Sequence, residues 1–272
     1  MHKKRNILQD LKPQYFRDVD FTITKYNELL QALAEAGYAF KTFFRFIEDE
    51  EEWKVVILRH DVDQLPGNAL RFAQLEHALG IMATYYFRMV PRSFDPGIIN
   101  EISAMGHEIG YHYEDLSRTA GNKERAIDSF RKNLTRMREV APVKTACMHG
   151  RPLSKWDNRK LWEDYDYRDF GIVAEPCLDV DYSRVMCLTD TGRSWRRSEA
   201  TVRDRVDSGF SLEIHSTSHL VNQIQNGLLP SKIIFNTHPH RWNDPNLRWV
   251  RDLLLMKFYD LSTNFKEIVT VQ

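Results

Sequence analysis

Residues 58–63 read LRHDVD and follow the apolar run VVI, so His60, Asp61 and Asp63 stand at the tip of a buried-looking strand. A strand tip holds such charge only where water, a partner or a metal takes it. Similar clusters close other apolar stretches. HEIGYHYED contains His107, His112, Glu114 and Asp115; KTACMHGRP ends in His149 and Arg151; KIIFNTHPHRW ends in His238 and His240. Asp and His together suit a hard-to-borderline divalent ion such as zinc, which in catalytic sites keeps three protein ligands and one position for water. Such an ion lowers the pKa of its water and polarises a carbonyl. A nearby carboxylate can then serve as general base and an imidazole as general acid.

A purely structural role competes at each position. A single histidine at a strand end is commonly a satisfied structural residue. Asp61 can cap the following helix, although Pro66 and Gly67 lie nearer that helix start. His107 follows Gly106 at a helix exit and is read as bonding that helix's last carbonyls. His2, His77, His215 and His219 have no supporting neighbours and read as surface or core residues. On an extended strand end, alternation turns Asp61 and Asp63 to one side and His60 and Val62 to the other. His60 is therefore left out of the chemistry.

The elements that must position these groups alternate between strand and helix. Helical spacing and stop signals predict helices over 24–36, 67–80, 95–106, 123–140 and 247–262, the third with Pro in its first turn and Gly at its end. Strands are expected at 38–44, 53–58, 82–89, 107–113, 144–149, 171–176 and 232–238. This alternation argues for parallel βα units. Seven or so units in 272 residues favour a distorted (β/α) barrel forming a single domain over residues 1–272. In such a barrel the strand ends share one rim, where active sites are built.

The bulk numbers exclude several classes. Hydrophobic content of 42% and charged content of 28% are those of a globular chain with a sizeable core. Lys plus Arg and Asp plus Glu both number 38, so no nucleic-acid footprint is expected. Cys147, Cys177 and Cys187 show no metal-type pairing and read as core or site-lining thiols. No run of ~18 apolar residues predicts a membrane span. The basic N-terminus lacks the apolar stretch of a signal peptide, so a cytoplasmic location is expected.

From about residue 50 to 245 the chain resembles the polysaccharide deacetylases of the NodB-homology type, a group of carbohydrate esterases. HDVD resembles a spaced form of that family's first motif, which implies Asp61 as base and Asp63 as metal ligand. GHEIGYH at 106–112 is similar to the second motif, whose last histidine binds metal, here His112. HGRP at 149–152 resembles the third, which implies Arg151 as part of a groove wall, and NTHPHRW resembles the last, which implies His238 as general acid. The family's second metal histidine falls at Leu116. His149, at another strand end, is the candidate substitute, with Glu114 or Asp115 as runner-up. Trp242 is read as an apolar wall for the acyl methyl or a sugar-stacking ring, a core role remaining open. In LTDTGRSW, Asp190, Arg193 and Trp195 either line a cleft or form a turn closed by Gly192.

The resemblance implies a (β/α) barrel of seven or so strands with one divalent ion, zinc as the leading candidate. It implies hydrolysis of an N-acetyl or other N-acyl group on an amino sugar of a cell-surface polysaccharide or its precursor. Without a secretion signal, a nucleotide-linked or lipid-linked precursor is expected. A hydrolase of another C–N bond and a non-catalytic carbohydrate-binding barrel are the alternatives.

Overall fold

A computed structural model describes residues 19–49, 53–150, 154–195, 209–210 and 212–243. Its strands are β1 (Ala39–Lys41), β2 (Val55–Val62), β3 (Thr84–Phe87), β4 (Glu108–Tyr113), β5 (Val143–Met148), β6 (Met186–Thr189) and β7 (Lys232–Thr237). Its α-helices are α1 (Ile23–Glu35), α2 (Phe43–Glu48), α3 (Pro66–Ala78), α4 (Pro96–Ala104), α5 (Asp115–Arg118), α6 (Lys123–Arg138), α7 (Pro176–Asp179) and α8 (Thr217–Gln225). All strand pairs are parallel, in the order β5-β4-β3-β2-β7-β6, with β1 pairing the first half of β2.

The sheet is covered on both faces, as parallel sheets require. All eight residues of β2 are buried. One face meets the helices through Val56, Leu58, Tyr85, Ile109, Tyr111 and Phe235. The other curls on itself: Val55, Ile57, Tyr86, Cys147 and Ile234, from β2, β3, β5 and β7, share one interior cluster with Phe43 and Ala174. This is the expected distorted barrel. Between β5 and β6 the chain adds a single bridge, Thr145 to Ala174, rather than a full strand.

Several boundaries differ from expectation. The strand expected at 38–44 stops at Lys41, because Thr42 accepts a hydrogen bond from the Arg45 amide and caps α2. That expected at 171–176 shrinks to the Ala174 bridge, because Pro176 opens α7 under the Glu175 cap. Neither β6 nor α8 is among the expected elements: β6 is only four residues long, whereas α8 does carry helical spacing at Thr217, Leu220 and Ile224 behind its Ser216 cap. The helix expected at 247–262 lies outside the described residues. Among the described residues, no helix is long and apolar enough to cross a membrane.

His60 does face away from the barrel interior. Its Nδ1 lies 2.6 Å from Thr237 Oγ1 on β7 and its Nε2 lies 2.7 Å from Glu76 Oε1 on α3. Tyr26 and Tyr85 donate their hydroxyls to the same carboxylate. All five side chains are fully buried. His107 is also structural, but it reaches Ala73 O on α3 and accepts from the Ala83 amide rather than bonding the helix before it.

Burial pushes the Glu76 carboxyl up, yet contact with His60 and Tyr26 outweighs this and holds it below its ordinary 4.5. A depressed carboxylate stabilises the fold above that value and loses the contribution as pH falls through its folded value. Glu76→Ala should therefore cost about 3–5 kcal/mol at neutral pH, since several buried partners lose their acceptor. Urea midpoints should also fall less steeply with acid in Glu76→Gln than in wild type. Unchanged midpoints would show that this network contributes nothing.

Candidate metal and catalytic centre

The alternation of β2 carries Arg59 and Asp61 to the barrel interior, and Asp63 follows just beyond the strand end. Arg59 clasps Asp61 with two hydrogen bonds, Nε to Oδ1 at 3.0 Å and Nη2 to Oδ2 at 2.6 Å. Burial pushes the Asp61 carboxyl up, but the Arg59 guanidinium holds it below the usual carboxylate range.

β4 and β5 bring two imidazoles to Asp63. His112 Nε2 stands 3.6 Å from Asp63 Oδ1 and 3.7 Å from Asp61 Oδ2. His149 Nε2 stands 3.2 Å from Asp63 Oδ1. One donor atom from each of Asp63, His112 and His149 lies within 4.8 Å of the other two.

Two further observations fit this trio to a divalent ion. Asp63 Oδ1 is buried and accepts no well-aligned hydrogen bond. His112 Nδ1 lies 3.0 Å from the Cys147 carbonyl, which can only accept, so Nδ1 carries the proton and Nε2 keeps its lone pair toward Asp63. Burial pushes His112 down to about 4, which keeps it neutral.

His149 has a carboxylate at its back: Nδ1 lies 3.3 Å from Glu114 Oε2. Burial opposes its charge, but Asp63 and Glu114 outweigh burial and push it up to about 9. Glu114 in turn takes two hydrogen bonds from Arg88 Nη2, at 2.8 and 2.9 Å.

His238 follows β7. Its Nδ1 lies 2.6 Å from Asp190 Oδ1, and its Nε2 lies 3.9 Å from Asp63 Oδ2. Asp190 also accepts from the His238 amide, Arg241 and the Trp242 indole. Burial and the Arg241 charge disfavour the imidazolium, yet Asp190 holds His238 above its ordinary value. A cleft of about 670 Å³ opens beside Asp63, His149, Glu114 and His240.

The structure thus brings Asp61, Asp63, His112, His149 and His238 together. Arg151 lies outside the described residues. Trp242 requires correction: it is 1% exposed among Phe21, Tyr26, Phe72 and Trp195, with its N–H on Asp190, so it braces the centre from beneath. Leu116 packs into the core from α5. Asp115, a runner-up ligand, is occupied by Tyr111, Ser129 and Asn133. Of the cleft-or-turn segment, Asp190 reaches the centre, whereas Trp195 is buried on Thr217.

Sequence reasoning missed Arg59 and the role of Asp190. The alternation that paired Asp61 with Asp63 also includes Arg59 and could have found it. Asp190 carries no local signal, because it meets His238 only through the neighbouring ends of β6 and β7.

No family model matches the chain, and no curated protein is similar to it. Solved structures similar to it include a CE4 esterase from Streptococcus mutans, at 12% identity over 82% of this chain and 88% of that one, with a TM-score of 0.43. A family 4 carbohydrate esterase from Bacillus subtilis is 15% identical over 85% and 84%, with a TM-score of 0.41. A peptidoglycan N-acetylglucosamine deacetylase, Bc1960, is 14% identical over 81% and 91%, with a TM-score of 0.39.

Purified protein should carry about one divalent ion per chain. Asp63→Ala, His112→Ala and His149→Ala should each remove most of it, since even changes behind a ligand cost ~10–100-fold in affinity. Leu116→His should leave affinity unchanged, because position 116 faces the core. Elemental analysis and competition with a chelator read both. Full metal content in His149→Ala would exclude His149 as a ligand.

Proposed function

We propose that the protein is a metal-dependent hydrolase that removes an N-acyl group, an N-acetyl foremost, from an amino sugar of a polysaccharide or its precursor. One observation carries the reading: a carboxylate held by an arginine and an imidazole held by a carboxylate stand beside the same three-donor cluster. Asp63, His112 and His149 are the residues that would hold the ion, zinc foremost given its N and O donors. When bound, it would polarise the acyl carbonyl and acidify water.

The chain's own groups do the proton work. Asp61, ionised and fixed by Arg59, takes a proton from the water whose oxygen attacks the acyl carbon. His238, whose charged form Asp190 favours, gives its proton to the amine nitrogen as the C–N bond breaks. The products are a carboxylic acid and a free amine. A binding module without catalysis has no need of the two oriented proton-transfer groups.

Asp61→Asn should keep the metal and lower kcat by about 10²–10⁴-fold, the usual worth of a positioned proton-transfer group. Asp190→Asn removes the charge that holds His238 up. The alkaline limb of kcat/KM for acetate release from N-acetylated sugars should therefore move to lower pH. An alkaline limb that stays in place would exclude His238 as the acid. Metal lost from Asp61→Asn but kept in Asp63→Asn would exchange the two acids' roles.

A further inference from the structure

We infer that the acylated sugar carries an oxyanion, a phosphate ester or a carboxylate, and that Arg92 and Arg118 bind it. The reaction rests on the hydrolase reading above, whereas the charge rests on the cleft wall. That wall presents three guanidinium groups, Arg88, Arg92 and Arg118, against two carboxylates, Asp63 and Glu114. Both carboxylates are engaged internally. Asp63 faces the imidazoles of His112 and His149, and Glu114 is clasped by Arg88 and backed by His149.

Arg92 and Arg118 remain as the cations that a substrate would meet. Arg92, on the loop after β3, is exposed and has no ion pair or side-chain hydrogen bond among the described residues. Arg118, the last residue of α5, is 51% exposed and touches Glu114 only at 3.4 Å. His240, on the same wall, is pushed down to about 3 by burial and stays neutral. The surplus is therefore positive, and a divalent ion at Asp63 would increase it. An arginine fork matches phosphate and carboxylate oxygens with paired charge-assisted hydrogen bonds. A neutral glycan, offering only hydroxyls and amides, leaves Arg92 without a counter-charge and Arg118 with only its long contact to Glu114.

A matched series tests this: N-acetylglucosamine, its 1-phosphate, and the analogue oxidised to a carboxylate at C6. Acetate release by metal-loaded wild type should favour one of the anionic sugars. Arg92→Ala/Arg118→Ala should raise KM for that sugar about 10–100-fold, the worth of lost charged hydrogen bonds, with kcat little changed. Hydrolysis of the neutral sugar should not move. Both side chains are solvated, so unfolding midpoints should match wild type. The favoured sugar distinguishes a phosphate ester from a carboxylate.

Calorimetric binding to Asp61→Asn, which cannot turn over, gives a second readout, and the preference should weaken with salt. Tighter binding of an anionic sugar that the double variant abolishes, with no acetate released by wild type, would support the anion site and sink the hydrolase reading. Equal hydrolysis of all three sugars, or equal loss on all three in the double variant, would overturn the anion site and leave the reaction standing.

Discussion

Four carboxylates lie close together at one rim of the barrel, and taking each out of water costs several kcal/mol unless a cation meets it. Asp61 has Arg59, Glu114 has Arg88, and Asp190 has Arg241 together with His238. Asp63 differs. No guanidinium or ammonium group pairs with it among the described residues, and its neighbours are His112, His149 and His238. Three rim acids are thus compensated by fixed positive side chains, and the fourth by imidazoles whose charge is adjustable. A metal site needs that distinction, because a carboxylate locked to an arginine has little to give an ion. The same distinction separates Asp61 from Asp63 two residues apart, the first suited to proton transfer and the second to ligation.

The separation depends on the two-residue period of β2. Arg59 and Asp61 point inward, while His60 and Val62 point outward. The outward side contributes too. His60 pairs in register with Thr237, and their side chains touch at 2.6 Å. Each precedes a residue of the centre, Asp61 on β2 and His238 after β7. Glu76 ties the same imidazole to α3, while Tyr26 and Tyr85 close the network from α1 and β3. Charged groups on the inner face and a polar network on the outer face therefore fix the two strands that carry the proposed base and acid. Such support behind a site matters because geometry must hold to a fraction of an ångström for proton transfer.

What the sequence made legible follows from how far each signal reaches along the chain. Strands with strong apolar runs and acidic or imidazole ends were readable, and so was their convergence on one rim, because parallel βα order dictates it. His149 was readable as a ligand candidate because it ends such a strand. Asp190 was readable only as a cleft-or-turn residue and not as the partner of His238, since that partner lies 48 residues away. Trp242 misled for the opposite reason. An aromatic near a site motif suggests a sugar platform, but only the packing of Phe21, Tyr26, Phe72 and Trp195 around it reveals a core residue. Thr42, the N-cap of α2, and Pro176, the first residue of α7, ended strands that hydrophobicity alone would have extended.

In the proposed site, a third donor at His149 rather than at position 116 changes more than the donor count. Position 116 sits on α5 and packs into the core, whereas His149 leaves β5 directly at the rim. The two imidazoles of the trio are consequently unequal. His112 donates to an uncharged carbonyl, while His149 has the Glu114 carboxylate behind it. A carboxylate in that position raises the basicity of the ring and fixes its orientation. Burial holds His112 down at about 4 and so leaves it the single proton on Nδ1, whereas the two carboxylates hold His149 up at about 9 and favour a second proton, the charged form, on its ring. Any cation bound among the three donors must expel that proton, so affinity rises with pH. The tether continues from Glu114 to Arg88 on the cleft wall. The orientation of His149 and the charge of the cleft are therefore set by one connected group of side chains.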